Sequence, residues 1–146
     1  MPPTGSTSRT EDRYTEALPS SRALFERARR IFPDGVTHDN RRMKPFPIYI
    51  ERAEGALKWD VDGNRYIDYW MGHGALLLGH SHPAVVEAVA AQVGRSTHPG
   101  ACHELELEWG ERVHDLVSCA DKIRFVGSGA ESTMLAMRIA RAHTGQ

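Results

Sequence analysis

The sequence has few cysteines and no long apolar run. Two cysteines, Cys102 and Cys119, are too few for a disulfide framework in a chain of 146 residues, so we expect a reducing, cytoplasmic setting. The apolar run at residues 75–78 ends at Gly79, far short of the roughly 20 residues that span a membrane. The polar N-terminus does not have the apolar core of a secretory signal. These absences favour a globular protein that needs no membrane.

A charge bias is missing as well. The chain has 18 Lys and Arg against 19 Asp and Glu, which gives a formal net charge of -1 and no field that favours nucleic acid or an anionic membrane. The histidines are irregularly spaced, and no cluster of cysteines or carboxylates completes a metal site; they include His73, His80, His82, His98, His103 and His114. We therefore predict small-molecule partners, no metal, no nucleic acid and no membrane.

The N-terminal half changes from a polar tail to a helix and then to strands. Residues 1–20 are rich in Pro, Ser and Thr and predict a disordered tail. Ser20 or Ser21 is expected to cap a helix that runs to about Ile31. Residues 47–70 alternate apolar and polar positions around the turn signal Asp62-Gly63. This pattern predicts a small antiparallel meander.

The C-terminal half alternates helices with one strand. A loop rich in Gly and His at 71–82 precedes a predicted helix at 84–93, whose apolar residues lie on most sides and predict burial. A second helix is predicted to start near His103. Residues 121–126 predict a strand, and a last helix is expected from about Ser132 to His143. This alternation argues for an α/β fold.

The segment between the predicted strand and the last helix carries the most chemical information. It reads Gly-Ser-Gly-Ala-Glu at residues 127–131. A helix N-terminus offers unpaired N–H groups and the positive end of a dipole, and glycines let an anion approach them closely. The hydroxyl of Ser128 adds a further donor. Phosphate binding and a simple tight entry into the helix remain equal alternatives at this point.

Three motifs that are more specific than a general phosphate site fit this segment poorly. A dinucleotide fingerprint needs Gly or Ala where Ser132 stands, and a Walker loop needs a lysine that is absent here. A nucleophile elbow needs glycines at the positions of Val126 and Ala130. None of the three is predicted.

Taken together, the motifs resemble those of class III aminotransferases and glutamate-1-semialdehyde aminomutases. The Gly-Ser-Gly-Ala-Glu loop is similar to the phosphate cup of this family, and it opens a helix that ends in Arg-Ile-Ala-Arg. Further similar segments follow one another in unbroken order over roughly residues 22–146, at residues 55–69, 78–86, 104–106 and 122–126. The long ordered match is more specific than any one motif.

The resemblance implies a fold and a cofactor. The fold is α/β, the type I fold of pyridoxal-phosphate-dependent transferases. Residues 21–100 would form the N-terminal segment of the small domain, with the meander and the Gly/His loop, and residues 101–146 the beginning of the large domain. The cofactor is pyridoxal 5'-phosphate, and its phosphate is expected to bind at Ser128, Gly129 and Ala130. The family often has Thr or Ser where Ala130 stands.

The resemblance also implies a substrate residue and a partner. Arg41 falls where the aminomutase branch has an arginine that binds the substrate carboxylate, and a bidentate guanidinium suits that role. A solvated loop arginine is the equal alternative. Residues 37–40 depart from the aminomutase pattern, which leaves a related aminotransferase open. Residues 70–74 are expected beside the substrate, and residues 35–45 and 70–80 near the interface of a homodimer.

No catalytic residue is assigned, because the family's cofactor-holding lysine comes after the last residue, Gln146. The three lysines, Lys44, Lys58 and Lys122, do not match that position. We therefore expect an N-terminal fragment, inactive by itself, of a transaminase for a small amino acid, keto acid or semialdehyde. The alternatives are glutamate-1-semialdehyde 2,1-aminomutase and a non-catalytic binding or assembly module.

Overall fold

The computed structural model describes residues 5–145, with side chains from residue 9 onward. The chain divides between Arg95 and Ser96 into two compact units, and each is described by itself. In its described residues, the first unit contains three α-helices and an antiparallel sheet, and the second contains two α-helices. The assignment of residues 21–100 and 101–146 to a small and a large domain stays a prediction.

The disordered tail predicted for residues 1–20 is wrong for most of its length. Helix α1 (Gly5–Ala17) occupies it, and residues 1–4 lie outside the described residues. The hydroxyl of Tyr14 donates to the carbonyl of Phe46 at 2.7 Å, and the two rings lie 5.1 Å apart. Leu18, directly after α1, is only 3% exposed. These contacts with a distant part of the chain stabilise a segment whose composition alone suggested disorder.

Helix α2 (Pro19–Ala28) begins close to the predicted cap but ends before Ile31. Its N-terminus has no side-chain cap from the preceding Leu18. The carboxylate of Asp62 serves instead, because it accepts hydrogen bonds from the N–H groups of Ser20 at 2.7 Å and Ser21 at 2.9 Å. Two 3₁₀ turns follow, at Pro33–Gly35 and Asp39–Arg41.

The predicted antiparallel meander is confirmed. Strands β1 (Ile50–Glu54), β2 (Leu57–Asp60) and β3 (Arg65–Ile67) pair in sequence order. Trp59 lies opposite Arg52 and Arg65, and the Arg52 guanidinium sits 3.6 Å above the Trp59 ring. Because side chains alternate along a strand, Lys58 and Asp60 point to the other face.

Asp60 closes the turn between β2 and β3 from a fully buried position. Its carboxylate accepts hydrogen bonds from the N–H groups of Asp62 at 3.0 Å and Asn64 at 2.8 Å, and from the Tyr66 hydroxyl at 2.7 Å. Burial acts to raise the pKa of Asp60, but the hydrogen bonds from Asn64 and Tyr66 outweigh it and hold the pKa below its ordinary value. The buried charge is therefore fully compensated within one short turn.

The Gly/His loop after β3 contains an unusual backbone turn. Residues 71–74 have φ angles of 44°, 61°, 63° and 81°, so four consecutive residues are left-handed. Two of them, Met71 and His73, are not glycine, and each costs about 1–2 kcal/mol in this conformation. The loop returns to the sheet at Gly79, where a Cβ would lie 3.1 Å from the backbone of Gly55. Surrounding contacts must hold the loop in this conformation.

Helix α3 (Pro83–Val93) agrees with the predicted helix in position but not in burial. Val85, Val86 and Val89 are each about half exposed, and no residue of α3 is buried. The helix makes no extensive contact with another helix or strand of the described first unit. The prediction of burial is therefore wrong for this chain. An apolar surface favours burial, but it does not identify the element against which the helix packs.

The second unit contains α4 (Glu104–Leu116) and α5 (Gly129–Thr144). The His103 ring begins α4, since its Nδ1 accepts the N–H of Leu105 at 3.1 Å. The strand predicted at residues 121–126 does not form. A strand needs a neighbouring strand for its backbone groups, and residues 96–145 contain no other strand. Phe125 of this segment stacks on Trp109 of α4 instead, with ring centroids 3.8 Å apart.

Candidate functional site

The N-terminus of α5 is closed by a reciprocal pair of hydrogen bonds. Ser128 is the N-cap residue, and its hydroxyl oxygen accepts the N–H of Glu131 at 3.2 Å. The Glu131 carboxylate turns back and accepts the N–H of Gly127 at 2.7 Å. This Ser-x-x-Glu arrangement starts the helix at Gly129, three residues before the predicted Ser132, because capping and not apolar periodicity decides where a helix begins.

Within the described residues, the N–H groups of Gly129 and Ala130 have no hydrogen-bond acceptor. Both residues are exposed, and a Cβ built on Gly129 would meet no atom within 4 Å. The Ser128 hydroxyl keeps its proton free to donate, since its oxygen is the acceptor for Glu131. The structure thus brings the three predicted residues together as accessible donors at the positive end of a helix, and they fit a phosphate.

Arg41 ends the second 3₁₀ turn and lines a cleft of about 530 Å³. Its Nη1 donates to the Thr37 hydroxyl at 2.9 Å, which leaves the other guanidinium donors for a ligand. Lys58 also lines the cleft, and none of the described residues that line it is Asp or Glu. The apolar part of the lining consists mainly of Phe32, Val36, Met43, Ile48 and Ile50. Such a cleft suits a molecule with a carboxylate and an apolar body.

Arg41 and the phosphate cup belong to different compact units. The structure gathers Ser128, Gly129 and Ala130 in the second unit and places Arg41, with its cleft, in the first. Each half of the predicted site is therefore described on its own.

Asp68 is a residue that sequence reasoning missed. It is 6% exposed, and its carboxylate accepts hydrogen bonds from Lys58 Nζ at 3.2 Å, the Trp70 N–H at 2.9 Å and His80 Nε2 at 2.7 Å. The hydrogen bond from His80 lowers the pKa of Asp68 well below its ordinary value, against the opposing effect of burial, with further help from Trp70 and Lys58. Asp68 directly follows β3, and its place in the alternating segment at residues 65–70 was the available signal, because a buried carboxylate needs partners.

Two histidines outside the Gly/His loop make local hydrogen bonds in this structure. His38 Nδ1 accepts the N–H of Asn40 at 3.2 Å, and His114 Nδ1 donates to the Ala120 carbonyl at 2.8 Å. Across the residues that the structure describes, no group of three or more His, Cys, Asp or Glu side chains could hold a metal ion. In the same part of the chain, no helix combines the length and the apolar character that crossing a membrane requires.

Comparison with known proteins identifies the relatives of this chain. A family profile described as aminotransferase class-III matches residues 38–146. Glutamate-1-semialdehyde 2,1-aminomutase of Methanopyrus kandleri is 47% identical over 133 residues, which cover 91% of this chain and 31% of the relative. The crystal structure of a β-phenylalanine aminotransferase from Variovorax paradoxus superposes with a TM-score of 0.90 at 30% identity, over 95% of this chain and 32% of that one.

A third similar protein is a transaminase whose structure contains bound pyridoxal phosphate. It superposes with a TM-score of 0.85 at 36% identity, over 88% of this chain and 30% of that one. The described residues thus have the N-terminal part of the type I fold of pyridoxal-phosphate-dependent transferases, as predicted. The chain belongs to the class III aminotransferase family. It spans about 31% of the length of the aminomutase that it matches.

Proposed function

We propose that the full-length protein is a pyridoxal-phosphate-dependent aminotransferase for a small amino acid, keto acid or semialdehyde. The observation that carries this proposal is the pair of N–H groups at Gly129 and Ala130, which have no acceptor in the described chain and stand beside the Ser128 hydroxyl. These donors have the geometry and the charge that a phosphate group requires.

In this proposal the phosphate of the cofactor accepts hydrogen bonds from the three donors of the cup. Ala130 contributes only its N–H, since its side chain has no hydroxyl. When bound, pyridoxal phosphate supplies an electron sink for the carbon that carries the amino group. The residues of α5 bind and orient it, and they do so through backbone groups that a capped helix holds in place.

Arg41 is proposed to bind the carboxylate of the substrate. The hydrogen bond to Thr37 fixes one side of the guanidinium, and the rest faces a cleft whose described lining contains no acidic residue. A planar guanidinium binds a carboxylate through two parallel hydrogen bonds, which orients the substrate as well as holding it. The apolar wall of the same cleft would then contact the body of the substrate.

Two changes at neighbouring arginines test the substrate site in the full-length protein. Arg41→Met should raise the KM for a carboxylate-bearing amino donor by about tenfold or more, as expected when a charge-assisted hydrogen bond is lost. Arg42→Met is the matched control, because Arg42 only forms an exposed ion pair with Asp34. The proposal fails if the wild type shows no cofactor absorbance and no half-transamination with any amino donor. Equal KM values for the two variants would remove Arg41 from the site.

Glutamate-1-semialdehyde 2,1-aminomutase activity is the second candidate. It is favoured by the 47% identity to the Methanopyrus kandleri enzyme, whereas residues 37–40 depart from the aminomutase pattern. The two candidates differ in their need for an external amino acceptor. Conversion of the semialdehyde without any added keto acid would support the aminomutase, and turnover only with an added keto acid would support the aminotransferase.

The full-length protein is further proposed to be a cytoplasmic homodimer. Tyr69, just before the Gly/His loop, is 89% exposed and Leu77, within it, is 92% exposed, so this part of the chain presents an apolar surface that a second copy could cover. Both cysteines are free and exposed, in agreement with a reducing compartment. Cysteines introduced at residues 70–80 should cross-link two copies of the complete protein, and purely intramolecular links would contradict the dimer.

A further inference from the structure

The Asp68 carboxylate joins three segments of the first unit. Lys58 Nζ, from β2, lies 3.2 Å from Oδ1, and the Trp70 N–H, at the start of the Gly/His loop, lies 2.9 Å from the same oxygen. His80, at the end of the loop, lies 2.7 Å from Oδ2. These contacts are sheltered from solvent, with side-chain exposures of 25% for Lys58, 19% for His80 and 5% for Asp68. A buried carboxylate with three partners of this kind is rigidly held.

The loop between these two attachment points needs such support. It contains the left-handed turn at residues 71–74, in which Met71 and His73 adopt a conformation that side chains disfavour. Within the loop, Gly74 donates to the Trp70 carbonyl and Leu76 to the Met71 carbonyl. Asp68 fixes the loop at its start and, through His80, at its end. The His80 backbone also exchanges two hydrogen bonds of 2.9 Å with Gly55, so the Asp68 carboxylate adds a side-chain link between the two ends of a loop whose end is already attached near the sheet.

Lys58 connects the same carboxylate to the cleft that contains Arg41. Its side chain lines that cleft and donates to Asp68 from β2. Lys58 therefore links the lining of the cleft to the carboxylate that contacts both ends of the loop. Asp68 is not among the residues that line the cleft, so its effect there is indirect.

We propose that Asp68 is a positioning residue of the substrate site: through Lys58, Trp70 and His80 it fixes the Gly/His loop relative to the Arg41 cleft. The role in substrate binding rests on the proposed aminotransferase function, whereas the role in holding the loop does not. Replacing the carboxylate by an amide keeps the shape of the side chain but removes the charge that all three donors share.

The test is Asp68→Asn in the full-length protein, with Asp60→Asn as the matched control. Asp60 is also a buried carboxylate of the first unit, but its partners lie at residues 62–66, in the connection after β2 and in β3. For Asp68→Asn we expect hydrogen exchange at the Trp70 N–H to accelerate by about tenfold or more relative to the amides of β2. We also expect KM for the amino donor to rise severalfold, with a smaller change in kcat.

For Asp60→Asn we expect a lower melting temperature with neither of these local effects. His80→Gln is a milder second variant, in case Asp68→Asn does not fold, and it should loosen the loop in the same direction by a smaller factor. Uniform acceleration of exchange throughout the first unit, or the same response from Asp60→Asn, would overturn the proposal. If the wild type has no transaminase activity, the proposed function fails while the exchange measurement still decides the role of Asp68 in the loop.

Discussion

The carboxylate of Asp62 caps helix α2 at Ser21, a residue 41 positions earlier in the chain. Asp62 Oδ2 lies 2.7 Å from the Ser21 hydroxyl and 2.9 Å from its N–H, and Ser21 is completely buried. Burial acts to raise the pKa of Asp62, but the hydrogen bonds from Ser21 and Ser20 outweigh it and keep the pKa below its ordinary value. One carboxylate in a hairpin turn thus attaches the N-terminal helices to the sheet.

Removing this cap should destabilise the first unit. We expect Asp62→Asn to lower the free energy of unfolding by about 2 kcal/mol, because the acceptor of the buried Ser21 donors and of the Ser20 N–H loses its charge. Urea denaturation followed by tryptophan fluorescence measures the change. Asp34→Asn is the control, since Asp34 forms an exposed ion pair with Arg42, and its effect should stay below about 0.5 kcal/mol. Equal losses in the two variants would show that Asp62 does not cap α2.

Ser128 is expected to serve both the helix and the cofactor. Ser128→Ala should weaken binding of pyridoxal phosphate by about tenfold, because one hydroxyl donor disappears and the first turn of α5 loses its cap. Ser132→Ala, an exposed change one turn further along the same helix, is the matched control and should leave affinity nearly unchanged. Equilibrium titration of the full-length protein with the cofactor compares them. If both variants bind like the wild type, the phosphate does not lie at this helix.

Glu131 places a negative charge at the mouth of the phosphate cup while it completes the cap. Glu131→Gln should strengthen binding of inorganic phosphate by about two- to fivefold, since the amide oxygen still accepts the Gly127 N–H while the repulsion is gone. The gain should shrink at high salt, where charges are screened. Glu131→Ala removes the capping bond as well, so its gain should be smaller. Calorimetric titration at two salt concentrations checks this, and weaker binding by Glu131→Gln would contradict it.

The first unit should lose stability in alkaline solution through Tyr66. Burial, followed by the hydrogen bond to Asp60 and its negative charge, raises the pKa of Tyr66 from 10.0 to about 12. The folded state favours the protonated phenol. The contribution of Tyr66 to the free energy of unfolding is therefore fully present below pH 10 and is lost as the pH rises toward 12. Burial also raises the pKa of Tyr14 and Tyr49, which contribute in the same direction.

Melting temperatures across this pH range test the role of Tyr66. Tyr66→Phe should weaken the alkaline loss of stability without abolishing it, because Tyr14 and Tyr49 remain. Tyr69→Phe is the control, since Tyr69 is 89% exposed and its replacement should leave the pH dependence as in the wild type. An unchanged alkaline profile in Tyr66→Phe would show that this phenol is not linked to folding.

Local patterns predicted the parts of the fold that depend on neighbouring residues. The meander follows from alternation around Asp62-Gly63, and both strand connections are short. Helix α1 could not be predicted in the same way, because its anchor is the contact between Tyr14 and Phe46, 32 residues apart. The prediction of a strand at residues 121–126 is wrong for a different reason. The apolar pattern is typical of a strand, but a strand forms only beside another strand.

In the candidate site, too, the features set by neighbouring residues were predicted and those set by residues distant in sequence were not. The donors of the cup lie in three consecutive residues, so the motif at Ser128 was enough to predict where they would meet. The role of Asp68 depends on Lys58 and His80, which lie 10 and 12 residues away and come together only through strand pairing and the return of the loop. Sequence spacing does not show this, although a carboxylate in the alternating segment that continues directly from β3 does indicate that partners exist.

The sheet also has a consequence for the order in which the chain folds during its synthesis. Its three strands are neighbours in sequence, so the meander can close as soon as residues 50–67 have left the ribosome, at little cost in loop entropy. The hydrogen bond from the Ser21 hydroxyl to Asp62 joins residues 41 positions apart. Ser21 has no acceptor in place until the hairpin of β2 and β3, which carries Asp62, has formed. We therefore expect α2 to be synthesised early but to pack against the sheet only after the turn that contains Asp62 has formed.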